Sequence, residues 1–170
     1  MTSSAKKIVP LSTVGKAQEG PAGKAQEATR LLRADHKHVS ELFEQFESAR
    51  LSSRKKALVQ EICQELTVHA QIEEEIFYPA IQTVLKDKTL VPEAKVEHET
   101  LKYLIAQIED AETDSDLYDA KVKVLSEYVQ HHVKEEQNEI FPQVKQSKLD
   151  LVELGAKLAQ RKEELLAKLS

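Results

Sequence analysis

The chain has 170 residues, of which 41% are hydrophobic and 31% charged, with only four Gly and five Pro. Because good helix formers dominate this composition, it suits one all-α domain with a substantial core. The net charge is −5, with no basic patch for phosphate groups, and no apolar run approaches the ~20 residues that span a bilayer. We therefore expect no nucleic-acid partner and no membrane partner. A single cysteine, Cys63, and the lack of a secretory apolar segment predict a cytoplasmic location.

The first part of the chain combines a polar tail with two helices. Residues 1–24 hold three of the four glycines, which predicts a flexible N-terminal tail. Helical periodicity begins near residue 26 and predicts a first helix that ends near Ala49. Ser52 or Ser53 is the expected cap of a second helix, and Pro79 should kink or interrupt it.

The rest of the chain predicts three more helices. Pro92 suits the first turn of a third helix, and Ser115 has the position of a cap for a fourth. Asp150, with capping-box spacing to Glu153, opens a fifth helix that runs to near Leu169. Short connections favour antiparallel neighbours. Residues 25–147 should therefore form an up-down-up-down four-helix bundle, and residues 148–170 an additional C-terminal helix packed on or extending from it.

Two stretches of the sequence are copies of each other, and both carry polar groups on apolar helix faces. His36 is repeated by His98 at an offset of 62 residues. A second set is repeated at an offset of 63 residues: His69, Glu73 and Pro79 match His132, Glu136 and Pro142. Buried ionisable groups without partners cost roughly 1 to 3 kcal/mol each, and more when charged. The duplicated set therefore indicates a bound metal.

The spacing within each set explains how one site uses all of these residues. Positions i and i+4 of a helix differ by only ~40° around its axis. His69 with Glu73, and His132 with Glu136, should each direct an imidazole and a carboxylate to the same point. The predicted ligands are His36, His69, Glu73, His98, His132 and Glu136. Such a nitrogen and oxygen set suits iron, manganese or zinc, and two bridging carboxylates allow two ions with open positions for dioxygen or a peroxide.

Other histidines and a tyrosine near the predicted ligands are not included in the set. His38 lies about 200° around the helix from His36, which indicates a surface position. His132 fits the apolar stripe better than His131. Tyr128 has the spacing to face the site, although an ordinary half-buried core position is the simpler interpretation.

Charged residues near the predicted ligands allow two interpretations. Asp35 and Glu97, which precede His36 and His98, have positions to support a ligand histidine, but solvent-facing charge is the plainer interpretation. We expect the glutamates beside Glu73 and Glu136 to be solvated.

Four segments of the chain resemble the hemerythrin-like, cation-binding HHE domain family. They are DHKHVSELF, HAQIEEEIFYP, EHETLKYLI and HHVKEEQNEIFP, which lie within residues 28–146. The resemblance implies a bundle with a non-haem di-iron centre that is oxo- or hydroxo-bridged, and it assigns the same six ligands.

The sequence departs from the oxygen-carrying members of the family in two ways. Lys102 stands where those proteins have a second histidine on the third helix, and the fourth helix has His-x-x-x-Glu in place of His-x-x-x-x-Asp. The resemblance therefore implies sensing or detoxification of oxygen, peroxide or nitric oxide rather than reversible oxygen carriage, with weak peroxide-consuming or oxidase activity as one form. Two alternatives stay open: an iron store or iron-responsive switch without turnover, and a zinc-bound or metal-free structural bundle.

Overall fold

A computed structural model describes residues 26–170, and the predicted flexible tail lies outside the described residues. No strand occurs in this part of the chain. The helices are α1 (Ala28–Ser48), α2 (Ser52–Ile72), α3 (Tyr78–Ile81), α4 (Leu90–Glu109), α5 (Asp116–Glu135), α6 (Phe141–Lys145) and α7 (Leu151–Leu169). Two π-helical segments join them into longer rods: Glu73–Phe77 connects α2 to α3, and Glu136–Ile140 connects α5 to α6.

The helices pack in the order that their short connections predict. Helix α1 packs on α2 and α4 packs on α5, and the two pairs meet through contacts of α1 with α5 and of α2 with α4. The predicted four-helix bundle with an additional C-terminal helix is confirmed. Helix α7 packs on α1 and α2, and the division at residue 147 stays a prediction. Among residues 26–170, every helix is too short or too polar to cross a bilayer.

The predicted caps are correct at two helices and wrong at one. The Ser115 hydroxyl accepts a hydrogen bond from the backbone N–H of Tyr118, and the Asp150 carboxylate accepts one from that of Glu153. Helix α2 instead begins at Ser52 itself, after a residue whose side chain does not cap it. The Ser52 hydroxyl is bonded to the carboxylate of Asp114, so it is engaged elsewhere.

Each proline in a ligand-bearing rod is preceded by one wide turn of π-helix. The backbone N–H groups of Tyr78 and Phe141 donate to the carbonyls of Glu73 and Glu136, five residues earlier. Proline lacks an N–H group, and in a regular α-helix its ring collides with the carbonyl four residues earlier. The chain absorbs this conflict in a π-helical turn, a form that is frequent at functional sites. Both wide turns begin at a predicted ligand glutamate.

The core consists of two apolar clusters. One contains Phe77, Tyr78 and Phe141 together with residues of α7, and the other contains Phe43, Phe46 and neighbouring aliphatic side chains. Gly155 allows α7 to cross the start of α1 closely, because a Cβ atom there would collide with the backbone of Gln26. Two rings of the first cluster lie beside histidines described next: Phe141 beside His36, and Tyr78 beside His98.

Candidate metal centre

All six predicted ligands meet inside the bundle. The four histidines come from four different helices, α1, α2, α4 and α5, and each is buried. Glu73 and Glu136 are the first residues of the two π-helical segments, and both are 0% exposed. The structure thus brings together every residue of the predicted set, and their role as ligands stays a prediction.

The imidazoles form two matching pairs. The Nε2 atoms of His36 and His69 are 3.2 Å apart, and those of His98 and His132 are also 3.2 Å apart. The two rings of each pair are inclined at 62°. Each pair directs two nitrogen atoms to one point, so the centre has two positions for a metal ion.

Glu73 connects the two positions. Its Oε1 atom lies 3.2 Å from Nε2 of His69, and its Oε2 atom lies 3.1 Å from Nε2 of His98. Carboxylate oxygens that face different imidazole pairs have the arrangement of a bridging ligand. Two groups of ligand atoms within 4.8 Å of one another follow: His36, His69, Glu73 and Glu136 in one, and Glu73, His98 and His132 in the other.

Glu136 lies between the same two positions. Its Oε2 atom is 3.0 Å from Nε2 of His132 and 3.9 Å from Nε2 of His36. Among residues 26–170, neither oxygen of Glu136 accepts a hydrogen bond, and neither does Oε1 of Glu73. Burial and the negative charge of Glu73 raise the pKa of Glu136 to about 8. Buried carboxylate oxygens without donors fit divalent cations as their missing partners.

The imidazoles are prepared for a metal at Nε2 by acceptors behind them. Asp35 Oδ2 lies 3.2 Å from Nδ1 of His69. Glu97 Oε2 lies 2.6 Å from Nδ1 of His132, and Glu74 Oε1 lies 3.0 Å from Nδ1 of His98. A carboxylate at Nδ1 fixes the ring and makes Nε2 a stronger ligand.

Of the two interpretations of Asp35 and Glu97, support of a ligand histidine is therefore confirmed over solvent-facing charge. Glu74, expected to be solvated, also contacts a ligand histidine, although its side chain is 30% exposed. Asp35 is 8% exposed, and its carboxylate also binds Lys162 of α7 at 2.6 Å. Asp35 precedes His36 in the sequence but supports His69 on the neighbouring helix. Sequence spacing shows which residues share a helix face, and it does not show a contact across two helices.

His36 has a different support from the other three histidines. The amide nitrogen of Gln137 lies 2.9 Å from its Nδ1 atom, and Arg33 donates to the Gln137 carbonyl oxygen at 3.2 Å. A metal at Nε2 requires the proton to be on Nδ1, where it needs an acceptor. Turning the Gln137 amide through half a rotation supplies one, since amide oxygen and nitrogen exchange places, and it replaces the hydrogen bond from Arg33.

The carboxylates also control protons on the histidines. Burial alone would lower the pKa of His69, but the carboxylate of Glu73 and the hydrogen bond to Asp35 raise it to about 10. The pKa of His132 is raised well above its usual range, against burial, by the neighbouring carboxylates of Glu136, Glu73 and Glu97. Metal binding at Nε2 must therefore release protons from these rings.

A tyrosine that sequence spacing did not identify lies beside the centre. The Tyr78 hydroxyl donates to Glu73 Oε2 at 3.2 Å and lies 3.3 Å from Nε2 of His98. Tyr78 is five residues after Glu73, about 140° away on a regular α-helix, and the π-helical turn brings the two together. Tyr128 is 44% exposed, so both interpretations of that residue were wrong.

The structure also agrees with the predictions that placed His131 and His38 outside the ligand set. His132 is 4% exposed, whereas the His131 side chain is 61% exposed, as the choice of stripe predicted. The His38 side chain is exposed and lies 3.5 Å from Glu61. Lys102 does not face the metal positions, because its ammonium group binds both oxygens of Glu74 at 2.8 Å.

A small cavity adjoins the centre. Its volume is about 20 Å³, and it is lined by the four ligand histidines and by apolar side chains that include Val39, Leu101 and Val129. A space of this size holds one water-sized molecule. The centre is thus open to a very small ligand and closed to a large one.

Comparison with known proteins agrees with a cation-binding helical bundle. The chain is 25% identical over 115 residues to a DNA nickase from Nostoc sp. (strain PCC 7120), a match that covers 68% of this chain and 32% of the nickase. It also resembles the crystal structure of a hemerythrin HHE cation-binding domain-containing protein from Mycobacterium kansasii. That match has a TM-score of 0.73 and 25% identity, and covers 84% of this chain and 89% of the other. The model of the hemerythrin HHE cation-binding domain matches residues 27–144. The chain therefore belongs to the hemerythrin HHE cation-binding domain family, whose domain binds metal cations.

Proposed function

We propose that the chain holds two iron ions and uses them to sense or detoxify dioxygen, peroxide or nitric oxide. The observation that carries the proposal is Glu73, whose two oxygens face two separate imidazole pairs at 3.2 and 3.1 Å. When bound, iron supplies the redox and ligand-binding chemistry that these small molecules require. The residues of the chain set which molecules enter and how they are held.

The ligand set favours open metal positions over a closed structural site. Structural zinc sites surround one ion with four ligands. Here six ligands serve two positions, and Lys102 does not supply the nitrogen that is missing on α4, because it is bound to Glu74. The position beside His98 therefore has room for an added ligand, which supports oxidation rather than reversible oxygen carriage.

The surroundings of the centre limit the added ligand to a few atoms. The adjoining cavity is about 20 Å³, room for about one water-sized molecule, so only a ligand as small as dioxygen, nitric oxide or a peroxide bound at the metal positions is compatible with it. Tyr78 places a proton donor at the same position. Burial and the charges of Glu136 and Glu73 raise the pKa of the Tyr78 phenol well above its usual range, so the hydroxyl keeps its proton to donate.

The decisive experiment combines metal analysis with an absorption spectrum of protein prepared with ample iron. We expect two irons per chain with charge-transfer bands of a bridged pair. One zinc per chain, or no metal, would support the structural alternative instead. Adding peroxide to the iron-loaded protein tests the detoxification form of the proposal, because detoxification consumes the peroxide whereas a store or switch without turnover leaves its concentration unchanged.

The reaction with oxygen tests the consequence of Lys102. The reduced protein is mixed with air and then degassed. Prompt conversion to the oxidised form that persists on degassing is the expected outcome. A spectrum that returns to that of the reduced protein when oxygen is removed would contradict it.

DNA nicking is not part of the proposal. The match spans 32% of the nickase, so the activity of that longer protein does not transfer to this chain. The absence of a nucleic-acid partner stays a prediction from the net charge of −5, and incubation with supercoiled plasmid, which we expect to stay intact, tests it.

A further inference from the structure

A second group of metal-ligating side chains lies on the outside of the bundle. His131 and Glu135 are four residues apart on α5, and Nε2 of His131 lies 3.2 Å from Oε1 of Glu135. Glu97 on α4 places its Oε1 atom 3.3 Å from the same nitrogen. One ligand atom from each residue lies within 4.8 Å of the others. The group repeats the inner pair of His132 and Glu136 one residue earlier on the helix.

Among the described residues, no lysine or arginine balances the negative charge of this group. Within residues 26–170, neither Glu97 nor Glu135 forms an ion pair with a lysine or an arginine. Glu97 Oε1 and Glu135 Oε1 lie 3.3 and 3.2 Å from the same nitrogen of His131, so the two negative charges are close together. A third carboxylate, that of Glu93, lines the same surface depression. A cation would relieve this repulsion.

The duplicated half of the molecule shows what balances the equivalent carboxylate there. Asp35 corresponds to Glu97 at the 62-residue offset, and it is paired with Lys162 at 2.6 Å. The residue that corresponds to His131 at the 63-residue offset is Val68. In the second half, an imidazole thus stands where the first half has an apolar side chain, and no lysine reaches the carboxylate among the described residues.

The outer group is connected to the buried centre through one carboxylate. Glu97 directs Oε1 to His131 and Oε2 to Nδ1 of His132, at 2.6 Å. A cation bound at Oε1 would draw negative charge away from Oε2, and Oε2 would then be a weaker hydrogen-bond acceptor for His132. An occupant of the outer group is therefore expected to change the electronic properties of the buried position on the other side of His132.

We propose that Glu97, His131 and Glu135 form an outer site for one divalent transition-metal cation, distinct from the two buried positions and coupled to them through Glu97. One imidazole and two carboxylates suit Zn²⁺, Co²⁺ or Fe²⁺, whereas Mg²⁺ and Ca²⁺ prefer oxygen ligands alone. The exposed location leaves the remaining coordination places to water. The existence of the outer site does not depend on the proposed function. Its coupling to the buried positions does rest on the proposed function, because it requires iron to be bound there.

Zinc titration of the iron-loaded protein tests the site, with zinc and iron counted in the same sample after dialysis. We expect one added zinc per chain while both irons are retained. His131→Gln and Glu135→Gln should each weaken zinc binding at least about tenfold, because each removes a direct ligand. His38→Gln is the matched control, since His38 is an exposed histidine beside Glu61, and it should bind zinc as the unmodified protein does.

The outcomes separate this site from the buried centre. Zinc binding that is unchanged in both His131→Gln and Glu135→Gln, or reduced equally in His38→Gln, would overturn the proposal. If the protein takes up zinc in place of iron, the count per chain should fall by one in His131→Gln, so a failure of the iron assignment leaves this test intact. Added zinc should shift the iron absorption bands only when His131 is present, and zinc binding without such a shift would refute the coupling.

Discussion

The two halves of the bundle, α1 with α2 and α4 with α5, build the same ligand pair and surround it differently. Both pairs of Nε2 atoms are 3.2 Å apart, and both pairs of rings are inclined at 62°. The residues behind and beside the rings have diverged. The same ligand pair is thus compatible with two metal positions whose surroundings are chemically different.

Two substitutions between the halves account for most of the difference. Glu74 supports His98, and its counterpart at the 63-residue offset is the neutral Gln137, which contacts His36. Tyr78, beside His98, corresponds to Phe141, whose ring lies parallel to that of His36 at 6.0 Å. His98 and His132 are therefore each supported by a carboxylate, and the Tyr78 hydroxyl lies beside them. Of His36 and His69, only His69 has a carboxylate at Nδ1, and Phe141 has no hydroxyl group to donate a proton.

Loss of Glu73, the ligand that both metal positions share, should leave both positions without iron. Glu73→Ala takes away the carboxylate that faces both imidazole pairs, so we expect iron content to fall from two per chain to near zero. Metal analysis after desalting measures this. Glu75→Ala is the control, because Glu75 is paired with Arg161 on the surface and should retain both irons. One iron retained in Glu73→Ala would show that the two positions are independent.

Removal of the Tyr78 hydroxyl makes the metal position of His98 and His132 resemble that of His36 and His69. Tyr78→Phe should keep both irons and slow the reaction of the reduced protein with peroxide by about 100-fold, the lower range for loss of a positioned proton donor. Stopped-flow absorbance measures the rate. Tyr128→Phe changes an exposed tyrosine and should leave the rate unchanged. An unaltered rate in Tyr78→Phe would assign the proton to another group.

The sequence predicted the ligands and not their surroundings, for reasons that these residues show. Glu73 and His69 follow from helix spacing, because positions i and i+4 share a face whatever the rest of the fold does. Tyr78 required the π-helical turn, which changes the face on which the fifth residue lies. The contact of Asp35 with His69 required the packing of α1 on α2. Local periodicity contains neither the wide turn nor the packing.

Exchange of the acidic and neutral supports should exchange the metal affinities of the two positions. Glu74→Gln weakens the hold on Nδ1 of His98 and should accelerate iron release from that position about tenfold. Release to an excess of chelator, followed by absorbance, should show two phases of which one becomes faster. Gln137→Glu is the reciprocal variant and should slow the other phase. Equal changes in both phases would indicate a general loosening of the bundle.

The smallest effect concerns α7, which makes most of its helix contacts with α1 and α2. Lys162 of α7 binds Asp35 at 2.6 Å, whereas the equivalent Glu97 faces His131 on the surface. Lys162→Met leaves Asp35, 8% exposed, with one partner fewer, which should lower the free energy of unfolding by about 1 kcal/mol. For a chain of this size the melting temperature should fall by about 2 to 4 °C.

Lys157→Met provides the matched control for α7. Lys157 is paired with Glu153 on the exposed side of the same helix, and such surface pairs contribute little, so the free energy of unfolding should change by less than about 0.5 kcal/mol. Equal melting temperatures for Lys162→Met and Lys157→Met would mean that apolar contacts alone, including buried Leu158, hold α7 in place. In that case the charged link from α7 through Asp35 to His69 would contribute nothing measurable, and the two halves would differ at the metal positions but not in how they are anchored.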